Sequence, residues 1–315
     1  MAENCFVGID TSNYTTSVAL ATERGEIVAN LKAPLPVKAG ERGLRQSDAV
    51  FAHVKNLPAL MEQLEPMLGA YVPVGIGVSA TPRSLEDSYM PCFLSGVAAA
   101  RSLAAGLHVP VHTFSHQDGH VMAALYSAGA LHLLDAPFGA FHVSGGTTEM
   151  LYVTPRKDRM EIALVGGTAD LNAGQAVDRI GVAMGLSFPC GAALEKLALE
   201  NTRKIPKPRI SVKEGTCHLS GLENMALRML EETGDKPFVA AFVLEFIADT
   251  LIAMAKHLRN ESGALPLLFA GGVMSNRMIA EKVRKTMKDV HFAEPAFSAD
   301  NAAGIALLCR EKMMK

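Results

Sequence analysis

Two segments of the chain share one pattern, in which an apolar run is interrupted by small hydroxyl and glycine residues and then resumes. They are residues 6–20 and residues 141–153. The pattern is typical of two β-strands joined by a tight turn, and the backbone amides that converge at such a turn favour an anion. Because the pattern occurs twice, we predict a duplicated α/β domain that holds a nucleotide between its halves.

Helices and strands alternate along the rest of the chain. After the first hairpin, apolar spacing predicts strands at residues 27–31, 72–78 and 109–113 and helices at 48–68 and 93–107. After the second, it predicts strands at 161–165, 266–270 and 291–295, helices at 175–184, 192–200, 223–232 and 238–258, and further helices beginning at 276 and 300. Residues 202–213, with two prolines among basic residues, are predicted to be an exposed loop. This order is typical of layered α/β domains.

Length and composition limit the functional classes. A chain of 315 residues with 49% hydrophobic residues predicts two domains with cores of their own. The net charge of −2 excludes a basic field over the whole protein, so an RNA partner would need a local basic patch or a helper subunit. Five scattered cysteines without a Cys-x-x-Cys pair argue against a disulfide framework and against a thiolate zinc site.

The expected location is the cytoplasm. The first residues of the sequence read directly into a strand and do not resemble a signal peptide. The most apolar helix, residues 238–258, contains Glu245, Asp249 and Lys256 and is therefore predicted to be the core helix of a soluble domain.

Two histidines four residues apart, His116 and His120, form the sharpest local motif. Ser115 and Asp118 resemble a capping box, which places both histidines in the first turns of a helix, on one face. There they could share a metal ion, or they could simply be two exposed histidines at a helix start. A zincin-type protease is disfavoured because Gln117 stands where that motif has glutamate.

Three further segments offer polar groups to a ligand. Asp300 begins a predicted helix; alone it would be an N-cap, but beside two imidazoles its carboxylate would complete a metal set with open coordination positions. Gly271 and Gly272 lie between a strand and a helix and would let a ligand approach the backbone, with Asn276 able to hydrogen-bond it. Asp178, on a helix, could bind ribose hydroxyls or be a solvated charge.

Two basic runs, residues 203–209 and residues 282–288, could contact the phosphates of a nucleic acid, although such runs are more often solvated surface. Cys190 has no base positioned by sequence to activate it, so we predict a structural role for that thiol.

Taken together, these segments resemble the TsaD family, the tRNA threonylcarbamoyladenosine synthase subunit long labelled O-sialoglycoprotein endopeptidase. Diverged forms of the family motifs occur in family order along nearly the whole chain, at residues 8–12, 116–120, 143–148, 173–179, 220–223, 271–276 and 299–302. The ordered set is specific, although no single motif is.

The resemblance implies a fold. It implies two actin-like, ribonuclease-H-like domains of the sugar kinase/heat-shock chaperone/actin superfamily, with a nucleotide cleft between the domains. Domain I would be residues 1–115 completed by a C-terminal helix at 300–315, and domain II would be residues 138–299. Residues 116–137 would be a helical connection that carries metal ligands.

The resemblance also implies ligands. One divalent metal ion, iron or zinc, would be held by His116, His120 and Asp300. ATP or an AMP-type nucleotide, including threonylcarbamoyl-AMP, would lie against residues from both halves of the chain: Asp10, Thr11, Ser12, Val143, Ser144, Gly145, Gly146, Thr147, Asp178, Gly191, Gly272 and Asn276.

The activity implied is metal-dependent transfer of a threonylcarbamoyl group from threonylcarbamoyl-AMP to N6 of an adenosine in tRNA. The chain is therefore expected to be an acyltransferase with tRNA as partner, and both a homodimer and partner proteins of a synthase complex are compatible with the resemblance.

The chain departs from the family at several polar positions. Tyr14 and Thr15 stand where the family has two acids, residues 81–87 replace a glycine-rich loop, and Thr147, Gln175 and Glu223 replace a His, a Glu and a Lys. These departures favour an alternative, a diverged paralogue. It would bind a nucleotide as a scaffold or regulator, or transfer a carbamoyl group to another acceptor.

Overall fold

The computed structural model describes residues 2–36, 44–157 and 159–314. The chain forms two compact units: unit 1 is Met1–Ser127 with Ala296–Lys315, and unit 2 is Ala128–Pro295. The resemblance placed boundaries at residues 115, 137 and 299; in the structure, residues 116–127 belong to unit 1 instead of forming part of a connection.

Unit 1 is built on a five-stranded sheet with the order β3-β2-β1-β4-β5. Its strands are β1 (Glu3–Thr11), β2 (Thr15–Thr22), β3 (Ile27–Pro34), β4 (Tyr71–Thr81) and β5 (Val111–Ser115). Its helices are α1 (Gln46–Leu64), α2 (Phe93–Leu107), α3 (His116–Ser127) and, at the end of the chain, α10 (Ala303–Met314). The first three strands are antiparallel, and β4 and β5 continue the sheet parallel to β1.

Helices cover both faces of this sheet. Apolar residues of α1 and α2 form one core with β1, β2 and β4, and α10 packs on β1 and β4 as well as on α3. A central strand with both faces covered is expected to be apolar throughout, and β1 is buried from Cys5 to its end. The polar residues Asp10 and Thr11 at that end are therefore buried together with the strand.

Unit 2 is built on a seven-stranded sheet with the order β12-β11-β6-β7-β8-β10-β9. Its strands are β6 (Phe138–Val143), β7 (Thr148–Pro155), β8 (Met160–Thr168), β9 (Ser211–Lys213), β10 (Thr216–His218), β11 (Leu267–Ala270) and β12 (Val290–Phe292). Its helices are α4 (Ala173–Ala183), α5 (Gly191–Leu199), α6 (Ser220–Thr233), α7 (Lys236–Ser262) and α8 (Arg277–Thr286). The short α9 (Pro295–Ser298) follows β12 and spans the boundary at which the chain returns to unit 1.

The two sheets repeat one plan. In each, a three-stranded antiparallel meander is extended by two parallel strands beside its first strand: β4 and β5 beside β1, and β11 and β12 beside β6. Both hairpins predicted from the sequence are confirmed as β1–β2 and β6–β7. The predicted α/β class and the duplication are confirmed with them.

The long apolar helix α7 supplies most of the core of unit 2. It is long and apolar enough to cross a membrane, but 83% of its most apolar window is buried inside the protein. This burial agrees with the predicted core helix. The predicted loop at residues 202–213 is irregular only as far as residue 210, because the next three residues pair with β10 as β9.

Candidate functional site

The start of helix α3 in unit 1 brings two histidines together. Strand β5 ends at Ser115, whose Oγ accepts a hydrogen bond from the Asp118 amide at 3.1 Å, while Asp118 Oδ2 accepts one from the Ser115 amide at 3.0 Å. This is the predicted capping box, and it fixes the first turn of α3. His116 and His120 follow one turn apart and face the same side.

Asp300, which precedes α10, completes this cluster. Its Oδ1 lies 3.6 Å from His116 Nε2 and 3.3 Å from His120 Nε2, and the two Nε2 atoms are 2.9 Å apart. Metal–ligand bonds of about 2.0–2.2 Å place neighbouring ligand atoms roughly 2.8–3.6 Å apart in octahedral or tetrahedral geometry. The three side chains therefore fit a single divalent ion.

Asp10, at the buried end of β1, orients the first of these ligands. Its Oδ1 lies 2.9 Å from His116 Nδ1, and the carboxylate is fully buried. The Nδ1–H of the ring donates to this carboxylate, which leaves the Nε2 lone pair directed at the cluster. Asp10, which the resemblance assigns to the nucleotide, thus contacts His116 of the candidate metal cluster in the structure.

The two residues after Asp10 are also bound within unit 1. Ser12 Oγ donates to Asp300 Oδ2 at 3.2 Å, so the β1–β2 turn steadies the carboxylate ligand. Thr11 Oγ1 donates to the Cys92 carbonyl at 3.0 Å and accepts from the Gly96 amide at 3.1 Å, which ties the same turn to helix α2.

The electrostatics of the cluster require a positive charge. Burial raises the pKa of Asp300, but hydrogen bonds from His116 and His120 outweigh it and hold that pKa well below its ordinary value. Burial lowers the pKa of His116, but the charge and hydrogen bond of Asp10, together with Asp300, raise it to about 10. The carboxylates of Asp10 and Asp300 thus share His116 as their positive partner. A divalent ion in place of the proton on His116 Nε2 would supply positive charge to both.

Unit 2 contains a cavity of about 420 Å³ above the carboxyl ends of β6 and β11. Five residues predicted to bind the nucleotide line it: Gly145, Asp178, Gly191, Gly272 and Asn276. Gly146 and Thr147 instead line a second, more open cavity of about 440 Å³ on the other side of the same turn. Val143 and Ser144 lie in the strand end and turn that separate the two.

Two glycines let the backbone segments around the first cavity approach each other. Gly271 has a φ of 103°, and a Cβ there would lie 2.3 Å from the Val143 carbonyl oxygen. A Cβ on Gly174, at the start of α4, would lie 2.6 Å from the Gly145 nitrogen. Neither contact can be relieved by a rotamer change, because both involve the main chain.

The polar side chains at this cavity are held by backbone amides. Asp178 Oδ1 accepts from the Cys190 amide at 2.8 Å, which fixes the start of α5. Asn276 caps α8 by accepting from the Ile279 amide at 3.1 Å, which leaves its Nδ2 to donate to a ligand. Cys190 is buried, and burial raises the pKa of its thiol, in agreement with a structural role.

Two kinds of residue that line the unit 2 cavity were not predicted from the sequence. Glu195 lies one helical turn after Gly191 on α5, and its Oε1 accepts from the Arg277 amide at 2.7 Å. The spacing of four from Gly191 is a signal that could have found it. Val177, Leu244 and Ile279 form an apolar wall, and no local signal distinguishes them from other core residues.

Glu223, which stands where the family has a lysine, forms an ion pair within unit 2. Glu223 Oε2 lies 3.1 Å from Arg179 Nη1, so its negative charge is paired within unit 2. Because the arginine balances the carboxylate, this part of the surface is locally neutral and repels an approaching anion less than an unpaired glutamate would.

Comparison with known proteins identifies relatives over nearly the whole chain. Residues 89–307 match the profile of the family described as TsaD, tRNA N6-adenosine threonylcarbamoyltransferase. The enzyme of that name from Thermus thermophilus is 33% identical over 305 residues, covering 96% of this chain and 90% of the relative. The one from Streptococcus suis is 30% identical over 319 residues, covering 98% and 92%.

Solved structures with low identity share the fold. The chain matches component A of (R)-2-hydroxyglutaryl-CoA dehydratase from Acidaminococcus fermentans with a TM-score of 0.53 at 14% identity, each chain covered to 99%. It matches a ROK family glucokinase from Streptomyces griseus with a TM-score of 0.53 at 14% identity, covering 98% and 99%. The expected actin-like, sugar kinase fold is thereby confirmed.

Proposed function

The chain belongs to the TsaD family of tRNA N6-adenosine threonylcarbamoyltransferases, and from this premise we propose that it transfers threonylcarbamoyl from threonylcarbamoyl-AMP to N6 of an adenosine in tRNA. The family makes it an acyltransferase of tRNA modification. In the proposed step, N6 attacks the carbamoyl carbon, a C–N bond forms, and the C–O bond to the phosphate breaks. AMP leaves with the electron pair of that bond, and the N6 proton is lost to solvent.

The observation that carries the proposal is the cluster of His116, His120 and Asp300, with ligand atoms 2.9–3.6 Å apart. An iron or zinc ion held there would act as a Lewis acid toward substrate oxygens. Asp10 keeps His116 in the tautomer that presents Nε2, and Ser12 holds Asp300 by its second oxygen. Both contacts prepare the ligand set before any ion binds.

The unit 2 cavity is the proposed adenylate site. Its volume of about 420 Å³ lies within the usual range for small-molecule sites. The apolar wall of Val177, Leu244 and Ile279 suits the faces of a purine ring, and the Asp178 carboxylate suits ribose hydroxyls. We assign the phosphate to the turn at Gly145, where no side chain stands between an anion in the cavity and the backbone amides.

The test incubates the purified protein with threonylcarbamoyl-AMP and unmodified tRNA, with nucleoside mass spectrometry of the product and elemental analysis of the protein. We expect the threonylcarbamoylated nucleoside and about one metal ion per chain. The double variant His116→Ala/His120→Ala should lose both, whereas His132→Ala, at an exposed histidine outside the cluster, should keep both.

Two results would contradict the proposal. If no modified nucleoside forms while AMP still binds, transfer to tRNA is wrong and the nucleotide-binding paralogue becomes the better description. If the double variant retains its metal ion, the ligand assignment is wrong.

A further inference from the structure

The two basic runs of unit 2 differ in what their side chains contact. In the run at residues 282–288, Lys282 lies between the carboxylates of Glu245 and Asp249, and the Arg284 guanidinium stacks over Phe292 at 4.3 Å. Lys282 and Arg284 thus hold α8 onto its neighbours, and Lys285 pairs with Glu281 within α8.

Most cations of the other run, residues 203–209 extended to Lys213, make no such contacts with the residues that the structure describes. Arg203 pairs with Asp235 at 3.2 Å and lies 4.2 Å from the centre of the Phe238 ring. Within the part of the chain that the structure describes, Lys204, Lys207, Arg209 and Lys213 are exposed and form no ion pair. Their charges are therefore available to a partner.

The backbone presents these cations in a row. Between them Pro208 is buried, and Ile205, Ile210 and Val212 pack against the core of unit 2. The apolar residues anchor the segment, so the intervening basic side chains project outward. Two prolines restrict the backbone further, which reduces the entropy that a binding partner would have to remove.

The charge of this segment is opposite in sign to that of the protein. Residues 203–213 contain five cations and no acid, within a chain of net charge −2. A local concentration of cations on an otherwise acidic protein attracts a polyanion to that place, since phosphate contacts dominate the affinity of nucleic-acid binding.

We propose that residues 203–213, here called the basic strip, bind the phosphate backbone of the RNA substrate. The proposal rests on the proposed tRNA activity and adds a location for the RNA. Helix α5 connects the strip to the adenylate cavity: Gly191 lines the cavity at one end, and the strip begins just beyond the other. Nine residues of helix span about 14 Å, a distance that an RNA strand entering the site can bridge.

The experiment measures tRNA binding by the full chain at several salt concentrations. The test variant is Lys204→Gln/Lys207→Gln/Arg209→Gln. The control, Lys157→Gln/Lys285→Gln/Lys288→Gln, removes the same charge from other exposed positions of unit 2, two of them in the run at residues 282–288. Circular dichroism and the Tm check that both variants are folded.

The expected result follows from counterion release. Loss of three phosphate contacts should reduce the slope of log Kd against log salt by about two to three. If the plots of log Kd against log salt for the wild type and the test variant converge near 1 M salt, the two Kd values differ by roughly 100-fold or more at 0.1 M. The control should keep the wild-type slope, and the test variant should show a raised KM for tRNA with kcat nearly unchanged at saturating tRNA.

Two outcomes overturn the proposal and are distinguishable. If the wild type binds and modifies tRNA but the test variant keeps its salt slope, the strip is not the RNA surface and the proposed function stands. If the wild type shows no salt-dependent tRNA binding and makes no product, both proposals fall.

Discussion

Substitution of Asp10 by asparagine tests the organisation of the proposed metal site. The change keeps the shape of the side chain and removes its charge at a fully buried position. An asparagine carbonyl can still accept from His116 Nδ1, but it no longer forms a charge-assisted hydrogen bond. Asp10→Ala removes the acceptor altogether, so the two variants separate charge from contact.

The expected loss of metal affinity can be estimated from these contacts. Loss of a hydrogen-bonding partner of a metal-ligating histidine costs about 10- to 100-fold in metal affinity, or about 1.4–2.7 kcal/mol. Because Asp10 Oδ1 makes a 2.9 Å contact, we place Asp10→Asn near the lower value and Asp10→Ala near the upper one. Asp48→Asn, the same chemical change at an exposed position of unit 1, should have no effect.

The assay is competition for zinc between the protein and a chromophoric chelator, which requires no substrate and no turnover. The unfolding transition of each variant is measured in the absence of metal, so that a folding defect is not mistaken for a lost ligand. If Asp10→Asn and Asp10→Ala bind zinc as tightly as the wild type, Asp10 does not position His116 for metal binding. The reasoning from the buried carboxylate would then be wrong.

Three further predictions concern unit 2. Gly271→Ala should lower the free energy of unfolding by about 3 kcal/mol through its positive φ and the Val143 carbonyl contact, whereas Gly272→Ala, with open space around its Cβ, should change it little in urea titrations. Asp178→Asn keeps an acceptor for the Cys190 amide, so calorimetry should show AMP affinity reduced by roughly 10-fold with an unchanged Tm. Burial raises the pKa of Asp170, but hydrogen bonds from Ser220 and nearby amides lower it overall. The ionised carboxylate therefore stabilises the folded protein above about pH 4, and this contribution is lost as the pH falls further. Asp170→Asn should flatten the acid dependence of the free energy of unfolding.

Much of the fold could be predicted because its signals are local. Each hairpin is encoded by two apolar runs and the turn between them, and the capping box at Ser115 lies within four residues of sequence. The family motifs also named the three side chains that the structure brings together as a candidate metal cluster, and five residues that line the unit 2 cavity.

The missed features depend on contacts between distant residues. Asp10 and His116 are 106 positions apart, and nothing near either residue shows that their side chains meet. Strand β9 has only three residues and is defined by its pairing with β10. Lys282 reads as a solvated cation until α7 brings Glu245 and Asp249 beside it.

The departures in the β1–β2 turn lie beside the metal ligands and leave the contacts between them in place. Asn13, which precedes the two substituted positions, accepts from Gln46 Nε2 at 2.7 Å, and Gln46 Oε1 in turn accepts from the Cys92 amide at 3.2 Å, so the turn is bound into the surrounding structure. Tyr14 is exposed, and the adjacent Ser12 still donates to Asp300. Because the loss of two acids changes the charge of the turn and not the ligand set, we expect these substitutions to alter which acceptor or acyl group the site favours, while its capacity to hold an ion is retained.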